Sequence, residues 1–303
     1  MDWLEKIGLY SIPAFLLLIT VEQIAYYLSR KENAPQGRST GSMSPKDTAA
    51  SLATYGIGYF AAPLGRFIDV PFLAIAAWLT PFALGGGWWL LLLALPLTDL
   101  AYYAEHRLSH RVRLFWAAHS VHHSSEHFNM STALRLSWLI PGQFVQSLVY
   151  VPLVLIGMPL WIVFLSQTIV LLFQFPLHTE GIDRLPRFIE YVFNTPSHHR
   201  VHHGANNPYL DKNYGGILII WDRMFGSYAE ETERVRYGLT KNIGRNDPIT
   251  VNFHEFGRML RDIWRARTWR GRVGYLLRPP GWTEPEAHVD DRNKAMREQF
   301  STL

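Results

Sequence analysis

The 303-residue chain carries a formal net charge of +4, is 48% hydrophobic, and has 13 histidines and no cysteine. The missing cysteines exclude disulfides, thiolate metal sites, haem-thiolate chemistry and cysteine nucleophiles together, so any transition metal must take nitrogen or oxygen ligands. The small charge, with arginines set beside apolar segments rather than in one basic stripe, argues against nucleic-acid binding and fits a positive-inside membrane pattern.

Residues 7 to 28 are apolar apart from Glu22 and Gln23. As a helix they reach about 33 Å, enough to cross a bilayer core. Asp2 and Glu5 precede this run and no small-residue cleavage pattern follows it, so it is expected to remain as an anchor. Residues 31 to 48 form a polar linker expected on the cytoplasmic side. Residues 49 to 84 are apolar but interrupted by Pro63, Gly65, Arg66, Asp69 and Pro71. They read as one crossing followed by a re-entrant or interfacial piece, or as two crossings. Residues 88 to 104 give a third apolar run, and 136 to 157 with 159 to 178 give a helical hairpin turning at Gly157, Met158 and Pro159.

One crossing in 49 to 84 puts the linker, the histidines and the tail on the side that holds nearly all the Arg and Lys. The expected fold is therefore all-α: a polytopic helical bundle of about four crossings in two hairpins, plus a re-entrant or interfacial helix and a cytoplasmic histidine-rich cap. Residues 1–180 would form the bundle, bearing the first two histidine groups on its cytoplasmic side. Residues 181–240 would form the cap with the third group, and 241–303 a polar tail.

Eleven of the histidines lie between 106 and 203. His106 and His110 share a helix face just past a span. His119, His122 and His123 follow at i, i+3 and i, i+4, and His199, His202 and His203 recur with the same spacing. His178 ends the last span. Imidazole suits Fe, Cu, Zn or Ni, and these nine rings exceed what one ion accepts, so two ions sharing them is the economical reading. So many imidazoles packed together would have to be neutral, which metal binding enforces. His198 either ligates or shapes the site. His127, His254 and His288 read as interfacial or hydrogen-bonded residues.

Asp99, Glu105, Glu126, Glu180 and Asp183 are carboxylates able to orient an imidazole through its second nitrogen. Asp99 stands out because it sits within a span, where an unpaired charge would cost about 2.5 to 3.5 kcal/mol, so it should face the bundle interior. Asp99, Glu126, Asn129 and Asn194 are the polar residues expected to support the reacting centre. The segments at 213 to 216 and 221 to 226 are expected to fold the cap over it; the plainer alternative is that Trp221 only packs and Asp222 only pairs with Arg223.

HRLSH at 106 to 110, HSVHH at 119 to 123 and HRVHH at 199 to 203 resemble the three boxes of the fatty acid hydroxylase and sterol desaturase superfamily of membrane di-iron oxygenases. Within it, residues 122 to 137 and 194 to 228 look most like the alkylglycerol monooxygenase group, which cleaves ether lipids. The resemblance implies two iron ions at the histidines, with zinc able to substitute. It also implies O2 as oxidant, a membrane lipid as substrate, and tetrahydrobiopterin or a protein as electron donor. O2-dependent hydroxylation of an alkylglycerol is the leading expectation, and hydroxylation or desaturation of a sterol, acyl chain or sphingolipid the alternative. In the animal ether-lipid enzymes an acid is expected directly after the second histidine, where this chain has Arg111. A zinc hydrolase would need fewer ligands and an open position, and no HExxH pattern is present. A histidine-lined metal transporter would place its ligands at membrane depth, whereas these follow the spans.

Overall fold

The computed structural model describes residues 2–31 and 43–285. Its architecture is helical: α1 (Asp2–Lys31), α2 (Pro45–Leu79), α3 (Leu91–Arg111), α4 (Arg113–His123), α5 (Ile140–Leu155) and α6 (Leu160–Gln174) are followed by α7 (Arg187–Val192), α8 (Pro196–His202), α9 (Ile220–Phe225), α10 (Pro248–Arg265) and α11 (Trp269–Leu277). Extended pairing among the described residues is limited to two isolated bridges, Phe193 with Leu218 and Gly204 with Tyr237.

Tyr10–Leu28 and Leu160–Leu177 have the length and hydropathy to cross a membrane, while Val70–Leu79 and Ile140–Leu155 are shorter apolar stretches. The region expected to be interrupted between 49 and 84 is instead one helix, α2, running through both prolines to Leu79. Proline inside a membrane helix costs a backbone hydrogen bond, which neighbouring groups can make good. No separate re-entrant helix follows among the described residues. Residues 80 to 87 are a loop clasped to the α5–α6 turn, with Leu84 N–H donating to Gly157 O at 3.0 Å and the Thr80 hydroxyl to Leu155 O at 2.6 Å. Gly157 has φ +92°, and a Cβ there would lie 2.8 Å from the Phe82 carbonyl carbon, so this turn requires glycine.

The main core lies where α2, α3, α5 and α6 meet, around Leu73, Ala76, Leu90, Ala94, Tyr150, Val154, Ile162 and Val163. Small residues such as Ala76 and Ala94 let the helices approach closely. Phe60, Trp78 and Leu92 are more than four-fifths exposed on the outside of this bundle. Apolar exposure on this scale suits hydrocarbon rather than water.

The N-terminal end of α2 is pinned differently. Ser44 caps the helix ahead of Pro45, and Asp47 in its first turn pairs with the fully buried Arg135 at 2.7 Å. Arg135 also donates to the Ser51 and Ser124 hydroxyls, while Ser125 donates to Asp47 at 2.6 Å, so the end of α4 is locked to α2. The segment expected as a polar tail instead carries α10 and α11, packed on α4. The Arg113 guanidinium reaches Glu255 at 3.0 Å and Asp262 at 2.7 Å on α10. Most of the expected 31 to 48 linker, and the tail beyond 285 with His288, lie outside the described residues.

Candidate metal centre

Helix α3 carries His106 and His110 one turn apart at its C-terminal end. Helix α4 presents His119, His122 and His123, His178 follows the 3-10 turn that ends α6, and the short helix α8, with His203 as its C-cap, brings the last three. The nine histidines expected as ligands gather into two groups: His106, His110, His119, His123 and His202, and then His122, His178, His199 and His203. Within each group the ligand nitrogens all lie within 4.8 Å of one another. Nitrogens on opposite sides of an ion bound at about 2.1 Å would be about 4.2 Å apart, so both groups have the dimensions of a coordination sphere.

The sequence boxes are not the sites. A helix rotates about 100° per residue, so His119 and His123 share one face while His122 turns toward the other group. In α8 the same geometry sends His202 to the first group, and His199 and His203 to the second. Each three-histidine box therefore spans both groups, and they lie side by side, with the His122 and His123 ring centroids 5.6 Å apart and those of His202 and His203 5.3 Å apart.

The ring nitrogens are oriented from outside. His106 Nδ1 lies 2.9 Å from Tyr214 O, His202 Nδ1 3.0 Å from Lys212 O, and His178 Nδ1 3.0 Å from Gln174 O. A carbonyl only accepts, so each Nδ1 carries the proton and each Nε2 presents a lone pair inward. Inside, Nε2 faces Nε2 at 3.0 Å between His106 and His119 and between His199 and His178, and at 3.1 Å between His123 and His119. The Nε2 atoms of His110, His202 and His203 are buried without a hydrogen-bond partner. Converging lone pairs with orphaned buried nitrogens fit a cation at each centre. Burial holds these imidazoles neutral: it pushes His178 down to about 4 and, reinforced by neighbouring rings, His106 to about 3 and His119, His122, His123, His199, His202 and His203 well below the ordinary value.

Among the described residues, none of the four polar residues expected at the reacting centre hydrogen-bonds a clustered histidine. Asp99 faces the interior, but its carboxylate accepts from the N–H of Ile217 at 2.6 Å, of Leu218 at 2.9 Å and of the Trp221 indole at 2.9 Å, so it anchors the 217–221 segment to α3. Asn194 donates to Gly215 O at 2.6 Å and serves the backbone just before it. Asn129 caps the 3-10 turn Met130–Leu134, and Glu126 is exposed. His198 stays outside both groups, 3.2 Å from the Thr195 hydroxyl. His254 is half-buried against Val251 O at 2.8 Å.

Asp222 does not pair with Arg223. It accepts from Tyr214 N–H at 2.8 Å, Gly215 N–H at 2.7 Å and the Ser227 hydroxyl at 2.7 Å, holding the strand of backbone whose Tyr214 carbonyl orients His106. Arg223 instead lies 3.7 Å over the Tyr228 ring. Sequence reasoning also left Glu22 without a role. Its carboxylate, carried by α1, accepts from the Thr179 hydroxyl at 2.5 Å, directly after His178, and from Met130 N–H at 2.8 Å. The signal was present as an acid inside an apolar run. Phe128 packs over the second group, 5.1 Å from His203 and 5.6 Å from His178, and stacks on Tyr237 at 4.8 Å. Tyr237 lines a cleft of about 350 Å³ with Glu180, Asp183, Arg184, Arg200 and Glu231.

Residues 91–227, the stretch holding all nine clustered histidines, match the fatty acid hydroxylase family. This stretch is similar to that family. The chain is 42% identical over 204 residues to the alkylglycerol monooxygenase of Danio rerio, covering 67% of this chain and 44% of the relative. It is 44% identical over 185 residues to that of Homo sapiens, covering 61% and 40%. It is also 32% identical over 136 residues to the ornithine lipid hydroxylase OlsE of Rhizobium tropici, covering 45% and 40%. The chain thus spans less than half the length of these curated relatives. No solved structure matches it. In this stretch α3, α4, α6 and α8 supply the histidines, while α1, α2, α10 and α11 lie outside the matched residues and brace them.

Proposed function

We propose that the chain is an integral membrane oxidoreductase that holds two iron ions, one in each histidine group, and uses O2 to hydroxylate an alkylglycerol ether lipid. The observation that carries this reading is the paired all-imidazole geometry inside a stretch similar to the fatty acid hydroxylase family. The alkylglycerol monooxygenase relatives support the lipid class, and the two long apolar helices suit a membrane enzyme. Zinc can take the same nitrogen ligands. Residues 1–180 serve as the membrane bundle with about four crossings in two hairpins, and 181–240 as the cap. The histidines then lie on the cytoplasmic side, where the arginines concentrate.

An unactivated C–H bond needs an oxidant stronger than any side chain, and the iron pair with O2 supplies it. The chain's own residues hold and shield the site. His106, His178 and His202 keep their protons on Nδ1, against backbone carbonyls, so that Nε2 stays available. The buried rings exclude water, and the partly exposed apolar residues of α6, Leu171 among them, would face the lipid from which the substrate enters. Hydroxylation of the carbon beside an ether oxygen yields a hemiacetal, which collapses to an aldehyde and a glycerol. The electron donor is a reduced pterin, tetrahydrobiopterin, or a redox protein.

The test is the iron content, O2 consumption and aldehyde release of the detergent-purified chain given iron, reduced pterin and an alkylglycerol, beside His122→Ala. About two irons per chain, with aldehyde release lost in the variant, is the expected result. Failure to retain paired metal would refute the centre. Paired iron without aldehyde would leave the oxygenase and shift the substrate to another polar lipid, sterol or acyl chain, a second reading that the match to an ornithine lipid hydroxylase favours.

A further inference from the structure

Helix α10 has two apolar edges where a surface helix needs one. Val251 and Met259 are buried, flanking Glu255 and Asp262, which hold Arg113, so this side is committed to α4. At 100° per residue, Ile249, Phe253, Phe256, Leu260 and Trp264 fall within an arc of about 80° on a different face. Ile249 is 67% exposed, Phe253 43%, Leu260 48% and Trp264 81%. Just beyond the helix, Trp269 is 74% exposed. A stripe of about four turns, ending in tryptophans, is costly to hold in water.

We propose that this face of α10, with Trp269, lies in the headgroup region of a membrane surface containing anionic lipid, with its apolar side chains dipped among the acyl chains. The inference rests on reading the chain as a membrane protein. Two observations select lipid as the occupant. The first is continuity: Phe253 meets Trp138 at 6.4 Å, and Trp138 donates to Thr54 O on α2 and lies against Gly58. Immediately further along α2, Ile57 and Phe60 are exposed. The α10 stripe therefore joins the apolar exterior of the bundle at the level where α2 changes from buried polar side chains, Asp47, Ser51 and Thr54, to exposed apolar ones.

The second is charge. Arg261 and Arg265 flank the stripe, and Arg267, Arg270 and Arg272 follow it, all exposed. Arginine with Trp, Phe and Leu on adjoining faces is the composition of an interfacial helix, and basic side chains beside a bilayer attract anionic headgroups. Trp264 and Trp269 have the amphipathic rings that settle at this depth.

The chain has no cysteine, so single labelling sites can be introduced into it without removing any. Spin labels at Leu260→Cys and Phe253→Cys, in nanodiscs of phosphatidylcholine and phosphatidylglycerol, are expected to collide with O2 more often than with a nickel chelate. A label at Arg261→Cys should show the reverse. Replacing Arg265 and Arg267 by glutamine should draw the Leu260 label toward water in these discs and leave it unchanged in pure phosphatidylcholine. A Leu17→Cys label on α1 separates the two readings. If it is oxygen-rich while positions 253 and 260 are nickel-rich, the membrane reading stands and the α10 inference fails. If all three are nickel-rich, both fail. Labels at 253 and 260 shielded from both reagents would show protein covering the stripe, and would overturn the inference as well.

Discussion

The two histidine groups use the same ligand type but are held by different parts of the molecule. The first takes its outer contacts from the 211–214 segment, through the carbonyls of Tyr214 and Lys212 and through Asp211, 3.6 Å from His110. The second takes them from the long apolar helices, through Gln174 O at the end of α6 and through Glu22 of α1 acting on Thr179. One centre is therefore sensitive to how the 211–214 segment folds and the other to how α1 and α6 pack. Both are closed by α8, which contributes to each.

The sharpest way to break this comparison is to remove one ligand from each side. His202→Ala should lower bound metal by about one ion from the first group, and His122→Ala by about one from the second. O2-dependent turnover should be abolished in both, as read by metal analysis and oxygen uptake. Loss of both metals in either variant would show that the groups do not bind independently. Next in size is Asp47→Ala, which leaves Arg135 buried without its partner. Breaking such a pair costs about 3–5 kcal/mol, seen as a lower unfolding temperature in detergent, with both centres weakened because Arg135 and Asp47 hold the end of α4.

Substitutions one shell out should separate the groups again. Asp222→Ala frees the 214–215 backbone and should weaken metal at the first centre about 10- to 100-fold, while Glu22→Ala should do so at the second, as outer contacts of ligating histidines commonly do. Metal titration followed by Mössbauer spectroscopy distinguishes the sites, and equal effects at both would erase the proposed division.

Acid should act on both groups alike. The clustered histidines have folded-state pKa values below the unfolded 6.5, so the unfolded chain binds more protons once pH falls below about 6.5. Stability and metal retention should be full above that pH and decline progressively below it, toward the values near 4 and 3 of His178 and His106. Retention of metal well below pH 4 would contradict the expectation. The smallest effect belongs to His198→Ala, which should leave both metals in place because His198 faces Thr195 and Glu190 rather than either centre.

Much of the candidate site was legible from spacing alone, because i, i+3 and i, i+4 histidines on short helices must project near one another whatever the rest of the fold does. Its partition was not. That His122 leaves its neighbours to join His178, and His202 leaves His199 and His203 to join His106, depends on how α3, α4 and α8 cross. The polar support was legible only as a set of carboxylates. Asp99 was expected inside the bundle and is there, yet what it accepts comes from amides more than a hundred residues away, and Glu22 finds its partners at comparable distance. Proline and glycine suggest a break where α2 instead continues as one helix, and the polar composition after 240 conceals two helices, α10 held by Arg113 and α11 packed beside it.

By itself, then, the sequence determined the helical class, the apolar segments, the absence of thiolate chemistry and the identity of the nitrogen-rich centre, since these follow from composition and from periodicity within single elements. Only the tertiary structure decided which histidine serves which group, which carbonyl sets each tautomer, and which carboxylates anchor the 217–221 segment and α1. Those outcomes are set by contacts between elements distant in the chain, where no local spacing constrains the choice and the low dielectric of the interior demands a partner for every buried polar group.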